Sequence, residues 1–110
     1  MQPKDKGLLW DIKTAAEEIS SFLKDISYVG FVEDKKTRYA VERLLLVIGE
    51  AANRISDELK AEQPQIQWKR MVGLRNVLAH EYGEILIDRI WNISSTSVPE
   101  LLVRIREIGI

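Results

Sequence analysis

Residues 34–62, DKKTRYAVERLLLVIGEAANRISDELKAE, carry the reading that decides the fold. Val41, Leu44, Ile48, Ala51, Ile55 and Leu59 recur every three or four residues, the period of one helix face. Leu45, Val47 and Ala52 widen that stripe, and the middle, Val41 with Leu44 to Ile48, is apolar nearly all round. A helix of that kind lies centrally in a core or at a subunit interface, and in so short a chain we expect an interface. Asp34, ahead of Lys35-Lys36-Thr37, reads as the N-cap, and Pro64 as the breaker beyond the end.

Outward from this segment the helical period continues. On the N-terminal side, Leu8, Ile12, Ala15, Ile19, Phe22 and Ile26 form a heptad stripe that Gly30 ends, leaving Phe31–Glu33 as a short connection. On the C-terminal side a third helix is predicted from about Gln67 to Tyr82, with Trp68, Met71, Val72, Leu74 and Leu78 partly inward. Gly83 suits the left-handed residue past its end. A shorter helix is expected over Ile87–Ser94, then a turn over Ser94–Ser97. Ser97-Val98-Pro99-Glu100 has capping-box spacing, and a last helix uses Leu101, Leu102, Ile105 and Ile108. No segment alternates over a strand length. The expected fold is all-α: a single domain over residues 1–110, an antiparallel helical bundle of four main helices plus a short one.

Composition narrows the chemistry. The chain has 110 residues, 16 Lys+Arg against 17 Asp+Glu, one His and no Cys. A disulfide framework, a thiolate metal site, a Cys nucleophile and a multi-His zinc centre are therefore excluded, and we expect no metal and no cofactor. The longest uncharged apolar run, Leu44 to Gly49, is far below the ~20 residues that span a bilayer. The N-terminus lacks the apolar core of a signal peptide, which points to a cytoplasmic protein that does not engage membranes. A net charge of −1 gives no global attraction to nucleic acid, so any basic surface is local.

The densest reactive group is Arg75-Asn76-Val77-Leu78-Ala79-His80-Glu81-Tyr82. On a helix Asn76 and His80, four apart, share a face, so the amide can orient the imidazole. Arg75 and Tyr82, seven apart, are offset by only about 20°, whereas Arg75 and His80 stand about 140° apart. A second copy of this helix across a two-fold axis would set two arginines and two histidines around one groove. A guanidinium fork binds phosphodiester oxygens, and an imidazole moves protons near neutrality. RNA supplies its own nucleophile, the 2′-hydroxyl, so this sparse inventory is consistent with a metal-independent ribonuclease. Plainer readings stand beside it. His80 could be a capping or surface residue, Arg75 could pair with Glu81 or Glu84, and Tyr82 could be a core-edge aromatic. Lys69 and Arg70 form a basic cluster with Arg75 that could bind RNA or could be a solvated face. Trp68 and Trp91 read as packing residues.

Arg75-Asn76-x-x-x-His80-x-Tyr82 resembles the R-x4-H-x-Y signature of the HepT-like toxins, a branch of the all-α HEPN superfamily. Ile66-Gln67-Trp68 with Met71-Val72-Gly73-Leu74-Arg75-Asn76 is similar to the family's entry to the motif helix, with Gln67 where proline is frequent. Gly49-Glu50-Ala51-Ala52 with Ile55 resembles its second-helix signature, and Asp34, Thr37, Ala40 and Val41 resemble that helix's opening. Trp91 and Val98-Pro99-Glu100-Leu101 are similar to the C-terminal pattern, so the likeness runs from Leu8 to Ile108. It implies a homodimer with a composite RNA-cleaving groove, Arg75 and His80 as catalytic residues and Asn76 in support. It also implies a partner, a minimal nucleotidyltransferase antitoxin, which transfers AMP onto Tyr82 and silences the toxin. The alternative is a non-catalytic HEPN-like regulatory subunit that binds nucleotide or the partner.

Overall fold

In the computed structural model, which describes residues 1–110, the apolar stripes become helices and no strand forms. Helix α1 (Pro3–Leu23) opens with proline at its first position, where a missing N–H costs nothing. It buries Leu9, Ile12, Ala16 and Ile19 against α3 (Lys35–Arg54), which contributes Val41, Leu45, Ile48 and Ala52. Helix α8 (Val98–Ile108) closes on the other side of α1 with Leu102 and Ile105. The expected N-cap of α3 is present: Asp34 Oδ1 accepts the Thr37 N–H at 3.0 Å and Oδ2 accepts its hydroxyl at 2.7 Å. These bonds hold the Asp34 carboxyl below its ordinary pKa. No helix is long and apolar enough to cross a membrane.

The architecture is the expected all-α bundle, but several boundaries move. Phe31–Glu33 is not a connection; it belongs to a short helix, α2 (Tyr28–Glu33). Ser27 caps this helix by accepting the Gly30 N–H at 3.1 Å, and fully buried Phe31 anchors it against Trp91, with ring centroids 5.3 Å apart. In α1, Phe22 faces solvent, and Ile26 lies beyond the helix end. The segment expected as one helix to Glu62 is two, because α3 stops at Arg54 and α4 (Asp57–Glu62) restarts after Ser56. The apolar girth around Leu44–Ile48 is used mostly inside the chain. Leu45 and Ile48 are buried, while Leu44 and Val47 pack on the core from half-buried positions.

The C-terminal region departs furthest. Residues Gly83–Asn92 (α7), a π-helical turn at Ile93–Ser97 and α8 follow one another without a break. The predicted turn at Ser94–Ser97 is therefore helical, and the Ser97–Glu100 capping box is absent: Ser97 has φ −71°, ψ −39° and makes no side-chain cap bond. Pro99 has no N–H for the preceding turn, and the wider π spacing accommodates its ring without ending the rod.

The α3–α4 break has a cause that spacing cannot show. Asp5, fully buried, accepts the Ser56 N–H at 2.9 Å and the Ser56 hydroxyl at 2.5 Å, and also the Gln2 N–H at 2.9 Å. The Ser56 hydroxyl in turn accepts the Leu59 N–H at 3.2 Å as the cap of α4. Burial alone would raise the Asp5 carboxyl, but the bonds from Ser56 and Gln2 outweigh it and hold its pKa low. Its stabilisation is thus complete above the free carboxylate pKa of ~3.9 and is lost as pH falls through the depressed folded value. Asp5→Asn should lower the melting temperature at pH 7 by about 5–15 °C. Thermal scans should show that gap closing toward pH 2; a gap constant from pH 7 to pH 2 would contradict an ionised clasp.

Candidate active site

Position 49 sets the site. A Cβ there would stand 2.9 Å from the Met71 carbonyl oxygen and 3.4 Å from the Leu74 Cβ. Glycine therefore lets the backbone of α3 close onto α5 (Trp68–Val72) and α6 (Leu74–His80). Trp68 is buried and donates its indole N–H to the Gln63 carbonyl at 3.0 Å, while Met71 and Leu74 enter the core. One continuous helix over Gln67–Tyr82 was expected. Instead, α5 and α6 meet at Gly73, which caps the first and opens the second, and α6 ends at His80.

This anchoring carries Arg75, Asn76 and His80 on the solvent side of α6, all three exposed. The Arg75 Nε lies 3.8 Å from Oε1 of Glu50, the residue after the close-packed glycine, with both side chains about half exposed (56% and 54%). So long and solvated a pair restrains the guanidinium only weakly and leaves its terminal nitrogens free. Arg75 thus pairs with neither Glu81 nor Glu84. Asn76 and His80 share one face as expected, yet no hydrogen bond joins them, and none joins Arg75 to His80. Within one chain the two stand about 140° apart around α6.

Tyr82 is not on the helix, so the stripe it was expected to share with Arg75 does not exist. Glu81 and Tyr82 are extended, at φ −102°, ψ 146° and φ −149°, ψ 176°. Gly83 is left-handed at φ 63°, as its position suggests, and it also begins α7. This link is pinned at one point, where Arg89 Nε on α7 donates to Glu81 Oε1 at 3.2 Å. Tyr82 is left 78% exposed, the most exposed large hydrophobic side chain in the protein. Nearby, the Tyr28 hydroxyl donates to the Asp88 carboxylate and joins α2 to α7; that bond raises the phenol's pKa.

Of the basic cluster, Lys69 and Arg70 project from α5, and Arg70 Nη1 donates to the Gln67 amide oxygen at 2.8 Å. Trp91 packs on Phe31 and edge-on against Tyr28, as a packing residue should. Nowhere do three or more imidazole or carboxylate side chains converge as a metal-binding group. Two features escaped sequence reading. The Glu50–Arg75 pair was signalled only by a glycine in mid-helix, which costs about 1 kcal/mol unless a close approach requires it. The Glu81–Arg89 pair depends on the chain reversing after His80 and had no signal.

An exposed cation, an amide and an imidazole on α6, with an exposed phenol on the extended link that follows, are groups that can hold an anion and transfer protons. Comparison with known proteins places nearly the whole chain in a family. The family described as Ribonuclease HepT-like matches residues 12–108. The chain is 42% identical over 96 residues to “Putative RNase MJ1380” of Methanocaldococcus jannaschii, covering 87% of this chain and 88% of the relative. It is 36% identical over 101 residues to “Probable ribonuclease HepT” of Thermococcus cleftensis, covering 92% of each. No solved structure matches. With the family match spanning nearly the whole all-α fold, α6 included, the chain belongs to the ribonuclease HepT-like family.

Proposed function

We propose that this protein is a metal-independent endoribonuclease that acts as a homodimer, the toxin of a toxin–antitoxin pair. The observation that carries the reading is the exposure of Arg75, Asn76 and His80 on a turn whose backbone is held by the Gly49 crossing. Arg75 would bind the non-bridging oxygens of the scissile phosphate. The 2′-hydroxyl oxygen would attack phosphorus while His80 takes its proton, and the P–O5′ bond would break. The departing 5′-oxygen would receive a proton from a second imidazole or from water, leaving a 2′,3′-cyclic phosphate and a 5′-hydroxyl. Asn76 would support His80 from the same face. The ~140° between Arg75 and His80 on one helix favours a groove shared by two chains.

The regulatory part rests on Tyr82. Its phenol oxygen would attack the α-phosphorus of ATP on a partner nucleotidyltransferase, releasing pyrophosphate and losing its proton. The added AMP would bring bulk and negative charge beside the site and compete for its cations. Net acidity of −1 favours a second reading, a non-catalytic module that binds nucleotide or this partner. Cleavage assays separate the two.

Light scattering at micromolar concentration should return about twice 12.7 kDa; an active monomer would defeat the shared groove. Cleavage should persist in EDTA and stop when the scissile nucleotide is 2′-deoxy, whereas strict magnesium dependence would count against the mechanism. His80→Ala should lose about 10²-fold or more in cleavage with unchanged melting, since the side chain is exposed. Arg75→Ala should behave alike, and Arg75→Lys should recover only part, lacking the fork. Tyr82→Phe should cleave normally but gain no AMP in intact-mass spectra after co-expression with the nucleotidyltransferase. AMP found on another residue of that variant would remove Tyr82 as the switch.

A further inference from the structure

A cleft of about 940 Å³ lies between α5–α6 and the α7–α8 rod. It is at the upper end of the ~300–1,000 Å³ usual for small-molecule sites. Its apolar wall is built from Met71, Leu74, Val77 and Leu101. Its ionised lining is three arginines, Arg70, Arg89 and Arg104, against the single carboxylate of Glu100, in a chain whose net charge is −1. The π turn supplies the facing wall with Thr96 and Ser97, beside Asn92, and Gln65 and Gln67 add amides from the other side. π insertions in helices are frequent at functional sites.

The cleft opens on one side of the motif helix. Val77 lines it, and His80, three residues on, lies about 60° around the axis and ~4.5 Å further along it. Arg75, two residues before Val77, points away toward Glu50. At the same edge, Arg89 holds Glu81, the residue after His80.

Resting on the ribonuclease reading, we propose that this cleft is a base-binding subsite. It receives one unstacked base of a single-stranded RNA whose neighbouring phosphate lies at His80. Apolar walls take the faces of the base, amides that both donate and accept read its edge, and the arginines balance the flanking phosphates. The arginines' other contacts leave guanidinium nitrogens available. Arg70 bonds a neutral amide, Arg104 pairs with Glu107 at 3.5 Å, and Arg89 with Glu81 at 3.2 Å, the last two being solvated pairs of small worth. The subsite makes the protein selective for single strands, since a base stacked in a duplex cannot enter.

Anisotropy with fluorescent eight-nucleotide single-stranded RNAs, one homopolymer per base, tests this in the His80→Ala protein, which binds without cutting. A single abasic substitution moved along the tightest binder should weaken binding about tenfold at one position and little elsewhere. Thr96→Trp, at an exposed position of the cleft wall, should weaken the intact oligomer about tenfold and abolish sensitivity to that abasic site. Arg104→Glu should weaken every oligomer and reduce the salt dependence by about one phosphate contact. A flat abasic scan on RNA that still binds, with the parent still cleaving, would overturn the subsite and leave the ribonuclease reading standing. No binding and no cleavage by the parent would overturn both. Loss of dimer mass in Thr96→Trp would assign the cleft to a second copy of the chain and overturn the subsite.

Discussion

The close approach of two backbones at Gly49 is the constraint on which the site depends. With 2.9 Å between an ideal Cβ at that position and the Met71 carbonyl, any larger residue would push α3 and α5 apart. That separation would lift Leu74 from the core and move Arg75 away from Glu50. A glycine in mid-helix costs conformational entropy, and the cost is offset by the burial of Met71, Leu74 and Trp68 that the close crossing permits. The reactive turn thereby sits on a rigid floor while its own side chains stay in water.

Two further polar contacts shape the chain around this floor. The buried Asp5–Ser56 clasp lies at the break between α3 and α4 and ties the first turn of α1 to it. The Arg89–Glu81 pair fixes the extended link that follows His80, so that Tyr82 projects into solvent. In the first case a carboxylate is buried and fully bonded, which makes it worth keeping. In the second the arginine is solvated and only the glutamate is partly covered, and the pair biases where a short link lies.

The continuous rod from Gly83 to Ile108 has a similar logic. Pro99 would end an ordinary α-helix, but the π turn before it lets the rod pass, so one element reaches from the edge of the reactive turn to the core beside α1. The same widened turn sets Thr96 and Ser97 on the cleft wall. Foldedness and a polar-lined groove come from one irregularity.

Much of this was legible in the residues alone. The three- and four-residue spacing of Val41, Leu44, Ile48 and Leu59 and of Leu8, Ile12 and Ile19 determined that the chain is helical and which faces are apolar. Asp34 before Thr37 marked the start of α3, and the spacing of Arg75, Asn76 and His80 marked them as neighbours on one helical segment, which α6 provides. Periodicity, however, records only what a continuous helix would do with its side chains. It cannot see a partner 51 positions away, so the break at Ser56 imposed by Asp5 was invisible. The same blindness extended Tyr82 along a helix that ends at His80 and made a turn of the helical Ser94–Ser97. Tertiary structure alone decided where Arg75, His80 and Tyr82 stand relative to one another, because their directions follow from helix ends and backbone approaches set by residues distant in the chain.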